Sequence, residues 1–143
     1  MNFQVVVLCD AATNEHEKLN LLGAFDTIYT PKLPAFHPQC SIALRITFSQ
    51  EDEGNHIIRL NFVDADGRSI MPGIEMPCAV VLGGDSHFVT RNFVVSIQRL
   101  VFDKPGMYSI DVSWDGASQT SIPLMVKLVG TPESASGNLL PEG

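Results

Sequence analysis

Apolar residues recur at every second position along most of this chain, and this period limits the fold more than any other feature. From position 40 to 49, apolar residues at the even positions alternate with smaller or more polar residues at the odd positions. Residues 56–63 repeat the pattern, with Ile58, Leu60 and Phe62 on one side. Because a β-strand sends alternate side chains to opposite faces, each segment predicts a strand with one buried face and one wetter face.

The strongest hairpin prediction lies near the end of the chain. Residues 108–113 and 122–128 both alternate, and the turn residues Asp115 and Gly116 stand between them. An Asp-Gly step between two alternating apolar runs is a strong hairpin signal, because both residues tolerate positive φ. Pro123 cannot donate a backbone hydrogen bond, so the returning strand is expected at a sheet edge or with a bulge there.

Further strands are expected from the same period. The candidates are residues 3–9, 18–29, 68–71, 78–82 and 89–97. A bend is expected at Gly23, where the missing side chain weakens regular pairing. The parity of the apolar positions changes near Gln98, which predicts a bulge or a strand switch there. No segment with the helical period is longer than two turns.

The number and spacing of these strands define the expected fold class. Eight or nine short strands with little or no helix predict an all-β fold, and a two-layer antiparallel β-sandwich is favoured over a closed barrel. A length of 143 residues predicts a single domain. We expect that domain over residues 1–129, followed by a flexible tail over residues 130–143, which has no periodicity and little to bury.

The loop before the last hairpin resembles a feature of immunoglobulin-like sandwiches. Tyr108 stands two residues after Gly106, as in a tyrosine corner, where the Tyr hydroxyl bonds back to the preceding loop. The spacing departs from that pattern by an additional residue between Asp103 and Gly106. The likeness favours an immunoglobulin-like sandwich, and it concerns folding and not chemistry.

Charge and cysteine content limit the partners and the compartment. The chain has 16 acidic and 9 basic residues and a net charge of −7, which argues against nucleic acid or an anionic membrane as a partner. The apolar run 5–9 has no Lys or Arg before it, so it does not predict a signal peptide, and no stretch is long enough to span a bilayer. Cys9, Cys40 and Cys78 lie in apolar segments, which favours free buried thiols in a reducing cytoplasm.

Three segments resemble a known family. Asp10-Ala11-Ala12 is followed at 18–28 by Lys-Leu-Asn-Leu-Leu-Gly-Ala-Phe-Asp-Thr-Ile, and 38–48 forms a strand with an Arg near its end. With the hairpin at 106–116, they resemble a family of short, uncharacterised bacterial proteins, and the likeness covers most of residues 3–128. The resemblance implies a bacterial, cytoplasmic, β-sandwich-like domain, and it implies no active site.

No motif indicates catalysis, a cofactor or a metal. Hydrolase, phosphate-loop and close-pair zinc patterns are absent from the sequence. Residues 64–67 look like a calcium loop, but Arg68 at a ligand position and the flanking strands favour a simple turn. Solvated loop positions are expected for the histidines, His56 among them. The alternative is a site for a small ligand or a metal ion, with hydrolysis as one activity that it could support. Four loop residues would build it: Asp10, His16, Asp85 and His87.

Aromatic and acidic residues in predicted loops offer surfaces for a protein partner. Phe36, Phe88 and Trp114 could anchor an interface, and burial against the end of the core is their other expected role. The acidic residues 51–53 most simply solvate a hairpin tip, and a basic partner is the alternative. We therefore expect a non-enzymatic domain without a cofactor that acts by protein–protein contact or self-association.

Overall fold

The computed structural model describes residues 1–130, and these residues lie mostly in strands. The nine strands are β1 (Asn2–Glu15), β2 (Lys18–Ala24), β3 (Thr27–Thr30), β4 (Ala35–Phe48), β5 (Gly54–Val63), β6 (Ile74–Val80), β7 (Val89–Phe102), β8 (Gly106–Trp114) and β9 (Ala117–Leu128). One 3-10 turn, Gln50–Asp52, joins β4 to β5. None of the described segments forms a helix of the length and apolarity that a bilayer crossing requires. The predicted all-β class is confirmed, whereas the predicted tail, apart from Gly130, lies outside the described residues.

The strands form two sheets. The first has the order β2-β1-β4-β7, and the second has the order β3-β9-β8-β5-β6. Among these nine strands, β3 and β9 pair in parallel and the other pairs are antiparallel. The prediction of a purely antiparallel arrangement is therefore wrong at one pair, because the chain changes sheets between β2 and β3 and approaches β9 in the same direction.

Both sheets contribute to one hydrophobic core. The inward residues of β4 and β5 are buried as their alternation predicts, and they join buried residues of β1, β7, β8 and β9 in a single cluster. Phe48 and Phe102 are its largest fully buried side chains. Burying one apolar side chain of this size stabilises the fold by about 1.5–3 kcal/mol, so this cluster is the main stabilising feature.

One of the two sheets is a curled half-barrel. The β1–β2 hairpin extends beyond β4, since β1 pairs with β2 up to Glu15 but with β4 only up to Cys9. The turn of this hairpin lies over the outer face of β4 and β7. The carbonyl oxygen of Glu17, in the hairpin turn, accepts hydrogen bonds from Arg45 at 3.4 Å and from Asn92 at 3.1 Å. Ser41 and Ala43, on the face that Arg45 shares, are only 2% and 0% exposed. The prediction of a wetter face is wrong at these two positions, because alternation assigns a residue to a face and cannot show that a second layer covers that face.

Strand lengths and boundaries differ from the prediction in three places. The prediction of short strands is wrong for β1, β4 and β7, each of which has 14 residues. The predicted strand 18–29 divides into β2 and β3, which lie in different sheets, and Gly23 near its bend has a φ of +69°. The predicted strand 68–71 is reduced to an isolated bridge between Val63 and Ser69, because β5 pairs instead with β6 and β8.

Two irregular positions agree with the sequence pattern. Arg99 adopts a φ of +61° next to Gln98, and Leu100 and Phe102 then point back into the core. A left-handed residue with a side chain costs about 1–2 kcal/mol, and the burial of two apolar residues offsets that cost. Pro123 lies before the stretch of β9 that pairs with β3, so β9 is locally an edge at this position, as predicted.

The predicted tyrosine-corner contact is confirmed. The Tyr108 hydroxyl donates a hydrogen bond to the carbonyl oxygen of Lys104 at 2.7 Å. The ring packs edge-on against Phe102 with a centroid distance of 4.9 Å. Tyr108 therefore ties the loop before β8 to the core.

Replacing Tyr108 with Phe should lower the free energy of unfolding by about 0.5–1.5 kcal/mol, because the ring packing is kept and one hydrogen bond is lost. Equilibrium unfolding in urea measures the difference. Ser109→Ala is the matched control, since that hydroxyl donates to Asp111, two residues away, and it should change stability less. A Tyr108→Phe variant as stable as the wild type would contradict a stabilising role for this contact.

Candidate functional site

The four residues of the metal-site alternative lie in separate parts of the fold. Asp10 of β1 lies beside Gly23 of β2, and His16 is in the turn between these strands. Asp85 and His87 are exposed in the connection from β6 to β7. Within residues 1–130, no group of three or more His, Cys, Asp or Glu side chains is arranged to hold a metal ion. The structure thus does not bring these four residues together as a metal site.

The segment that resembles a calcium loop is a turn. Asp64 Oδ1 accepts hydrogen bonds from the backbone N–H groups of Asp66 and Arg68, each at 2.9 Å. The hydrogen-bond partners of Asp64 Oδ1 are therefore backbone N–H groups of its own turn. Glu75, at the twelfth position of the calcium pattern, forms an ion pair with Arg59 at 2.9 Å. The predicted simple turn is confirmed.

The three cysteines are free and buried. Burial raises the pKa of each thiol, and that of Cys40 to about 11. A thiol with a raised pKa carries little thiolate near neutral pH and is a weak nucleophile. Cys9, Cys40 and Cys78 therefore act as small core residues, as their apolar surroundings in the sequence predict.

His56, in β5, lies in a cluster that sequence reasoning missed. Its Nδ1 is 2.6 Å from Asp115 Oδ2, and its Nε2 is 2.6 Å from the carbonyl oxygen of Asp52. The ring stacks on Trp114 with a centroid distance of 4.3 Å, and Trp114 stacks on Phe48 at 5.1 Å. The side chain of His56 is 17% exposed, so the prediction of a solvated loop histidine is wrong for this residue.

The pairing of β5 with β8 creates this cluster. It brings His56 to Asp115, which is 59 positions away in the sequence. Asp115 Oδ1 also accepts a hydrogen bond from the backbone N–H of Ile57 at 2.9 Å. The hydrogen bond between the two side chains raises the pKa of His56 and lowers the pKa of Asp115. The Asp-Gly turn signal marked Asp115 only as a hairpin residue, and no local pattern connects it to His56.

An exposed apolar group borders a cleft at the end of the molecule where β8 begins. The cleft has a volume of about 460 Å³, and its apolar wall includes Val101 and Met107, which are 39% and 48% exposed. Phe36, which is 70% exposed, is the cross-strand partner of Val101. Charged residues of both signs line the rest of the cleft: Asp64, Asp66, Arg68, Asp103 and Lys104. We call this cleft together with Phe36 the corner surface.

The corner surface has the composition of a contact site. Exposed aromatic, Met and Arg side chains are enriched in protein interfaces, where an apolar centre is surrounded by polar residues. Tyr108 also lines the cleft. Its hydroxyl is bound to the carbonyl oxygen of Lys104, and burial raises its pKa. The phenol is therefore a structural group of this surface.

The other two predicted aromatic anchors lie away from the corner surface. Phe88 is 61% exposed and precedes β7, at the end of that strand opposite to the end that pairs with Phe36. Trp114 is half-buried and packs between His56 and Phe48. Of the three predicted anchors, Phe36 is the one that adjoins the cleft. Sequence reasoning missed Val101 and Met107, because single apolar residues within a strand carry no sign of exposure.

Comparison with known proteins assigns a family without a function. A family model described as "Family of unknown function (DUF6941)" matches residues 4–127. A comparison with curated proteins finds no match. The matched range includes nearly all residues of the nine strands. The resemblance to an uncharacterised family that the sequence motifs predicted is confirmed.

Proposed function

This chain belongs to the family of unknown function DUF6941, and we propose that it is a non-enzymatic domain that works by contact with another protein, either a partner or a second copy. The family description carries no activity, so the proposal rests on the surface of this chain. The observation that carries it is the exposure of Phe36, Val101 and Met107 beside a charged cleft.

The three apolar side chains support a contact site because they are neighbours. Phe36 and Val101 face each other across the β4–β7 ladder, and Val101 and Met107 line the same cleft. Single exposed apolar residues are common on proteins, whereas adjoining ones with a polar rim mark interaction sites. Phe36 provides an aromatic anchor, and Arg68 and Lys104 provide positive charges in the adjoining cleft.

We also infer that the two sheets form an immunoglobulin-like sandwich. The shared core of the two sheets and the Tyr108 contact with the loop before β8 support this arrangement. In such sandwiches the loops gather at the two ends, where they are free for recognition. The corner surface, built from the turn after β5 and the loop before β8, is a loop cluster of this kind.

We place the domain in a bacterial cytoplasm. The three free cysteines support a reducing compartment, since thiols of exported proteins are usually oxidised to disulfides. The bacterial origin rests on the resemblance of the sequence motifs.

Photocrosslinking from position 36 tests the contact. In the full chain, photoreactive benzoylphenylalanine in place of Phe36 should give one discrete adduct, which mass spectrometry identifies. The same replacement of Phe88, which is similarly exposed but lies away from the cleft, is the matched control and should give far less adduct. Val101→Glu should weaken binding of the identified partner about thirtyfold, as expected for a central contact worth about 2 kcal/mol.

Sedimentation velocity distinguishes the two kinds of partner. A second copy would appear as a dimer that Val101→Glu dissociates, and a different protein would leave the isolated chain monomeric. A monomeric chain whose position 36 gives no more adduct than position 88 would overturn the proposal.

A further inference from the structure

We propose that His56 is a latch operated by its protonation. As an imidazolium, its ring joins the 3-10 turn Gln50–Asp52 to the hairpin turn at Asp115. When the ring loses a proton, it releases the 3-10 turn. The latch lies in the His56 cluster, and it stands independently of the proposed protein contact. Its basis is the geometry of two short hydrogen bonds from one ring.

Both ring nitrogens of His56 face groups that can only accept. The carbonyl oxygen of Asp52 has no proton to give, and the ionised carboxylate of Asp115 has none either. A neutral imidazole has a single N–H and can satisfy one of the two acceptors. At 2.6 Å the other nitrogen would turn its lone pair toward an oxygen lone pair, so this arrangement requires a ring that carries two protons.

The surroundings of the ring favour the cation. Trp114 stacks on it at a centroid distance of 4.3 Å, and an indole face attracts a cation. The titratable and charged residues near the ring come from every element of the cluster. Asp115 belongs to the hairpin turn, Asp52 to the 3-10 turn, and Glu53 directly follows that turn. Cys78 of β6 is the cross-strand partner of His56, and the Met1 ammonium lies 3.1 Å from Asp52 Oδ2.

The two contacts of His56 differ in strength, which determines the turn that is released. A neutral ring would keep its proton on Nδ1, because the charged Asp115 carboxylate is a stronger acceptor than a carbonyl. Ile57 also holds Asp115: the Ile57 N–H donates to Asp115 Oδ1, and the Asp115 N–H donates to the carbonyl oxygen of Ile57, each at 2.9 Å. Nε2 would then face the carbonyl oxygen of Asp52 with a lone pair. Repulsion at this contact displaces the 3-10 turn and leaves the hairpin turn in place.

The pH range of the latch follows from the directions of two pKa shifts. The pKa of His56 is raised by its hydrogen bond to Asp115, so its stabilising effect is complete below its ordinary value of about 6.5 and is lost as the pH rises through the raised value. The pKa of Asp115 is lowered by the same bond, so its contribution holds above its ordinary value of about 3.9 and is lost as the pH falls through the lowered value. The closed latch therefore prevails in mildly acidic solution and opens on the alkaline side.

Nuclear magnetic resonance of the wild-type chain tests the latch. Imidazole nitrogen shifts, followed from pH 5 to 9, should show both nitrogens of His56 still protonated above the ordinary histidine pKa of about 6.5. The backbone amides of residues 51–53 should shift with the same midpoint as His56. Asp115→Asn should lower the midpoint of His56, and His16→Gln, the matched control, should leave it unchanged.

The wild-type titration decides the proposal even where a variant fails to fold. A midpoint for His56 at or below the ordinary histidine value of about 6.5 would overturn it. Amides of residues 51–53 that do not follow the titration of His56 would overturn it as well. Neither measurement involves a partner protein. A negative result for the latch would therefore not contradict the proposed contact at Phe36, and a negative result for that contact would not contradict the latch.

Discussion

Replacing Phe102 with Ala should lower the free energy of unfolding by about 3–5 kcal/mol, as for other large aromatic residues removed from a packed core. Phe102 is 0% exposed, and its ring contacts Phe62 and Tyr108 at centroid distances of 6.1 and 4.9 Å. Loss of the ring leaves a cavity between the two sheets, which the surrounding strands cannot close without breaking their pairing. Equilibrium unfolding in urea measures the loss.

Two further variants keep this test informative. A domain has a total stability of about 5–15 kcal/mol, so the Ala variant can be too unstable to measure, and Phe102→Leu then provides a smaller cavity at the same site. Phe36→Ala is the matched control, since Phe36 is 70% exposed and pairs with the neighbouring residue of β7, and it should change stability by no more than about 0.5 kcal/mol. Equal small losses at both positions would show that the ring of Phe102 is not packed in the core.

Replacing Gly23 with Ala should lower the free energy of unfolding by more than about 2 kcal/mol, because two costs combine at this position. Gly23 has a φ of +69°, a conformation that costs a residue with a side chain about 1–2 kcal/mol. A Cβ at this position would also lie 2.9 Å from Cγ and 3.2 Å from Cβ of Asp10 on the adjacent strand. The hairpin of β1 and β2 would have to shift, which would loosen the layer that covers Ser41 and Ala43.

Other glycines separate these two costs. Gly67 has a φ of +81°, and a Cβ added there would meet nothing within 4 Å beyond its chain neighbours, so Gly67→Ala should show the backbone cost alone. A Cβ added at Gly84 would also meet nothing within 4 Å, and the φ of Gly84 lies outside the left-handed region, so Gly84→Ala should change stability little. Adding Asp10→Ala to Gly23→Ala should recover the part due to the clash. If Gly23→Ala were no more destabilising than Gly67→Ala, close packing of the hairpin against Asp10 would be wrong.

Much of the fold could be predicted because strands and turns require particular residue patterns over a few neighbouring positions. The inward sets of β4 and β5, the hairpin of β8 and β9, and the parity change near Gln98 each follow from residues within a few positions of one another. The alternation exists because each strand has to bury one face, and the turn residues exist because few residues accept positive φ. The contact of Tyr108 with Lys104 spans four positions, and it was predictable for the same reason.

The candidate sites could be predicted only in part because they depend on contacts between distant segments. Phe36 was predicted as an anchor, but its neighbours Val101 and Met107 belong to other strands, 65 and 71 positions further along the chain. His56 meets Asp115 across 59 positions. In neither case does a local sequence pattern in one segment predict its contact with the other segment.

The amino-acid sequence by itself determined that this chain is all-β, which faces of its main strands are buried, and where its tightest turns lie. The tertiary structure decided which strands are neighbours, that β3 runs parallel to β9, and that the β1–β2 hairpin covers the outer face of its own sheet. The physical reason is that side-chain alternation and turn chemistry act within a few residues. Strand order, a second covering layer and the partners of His56 arise only when the whole chain minimises both the apolar surface left in water and the polar groups buried without a hydrogen-bond partner.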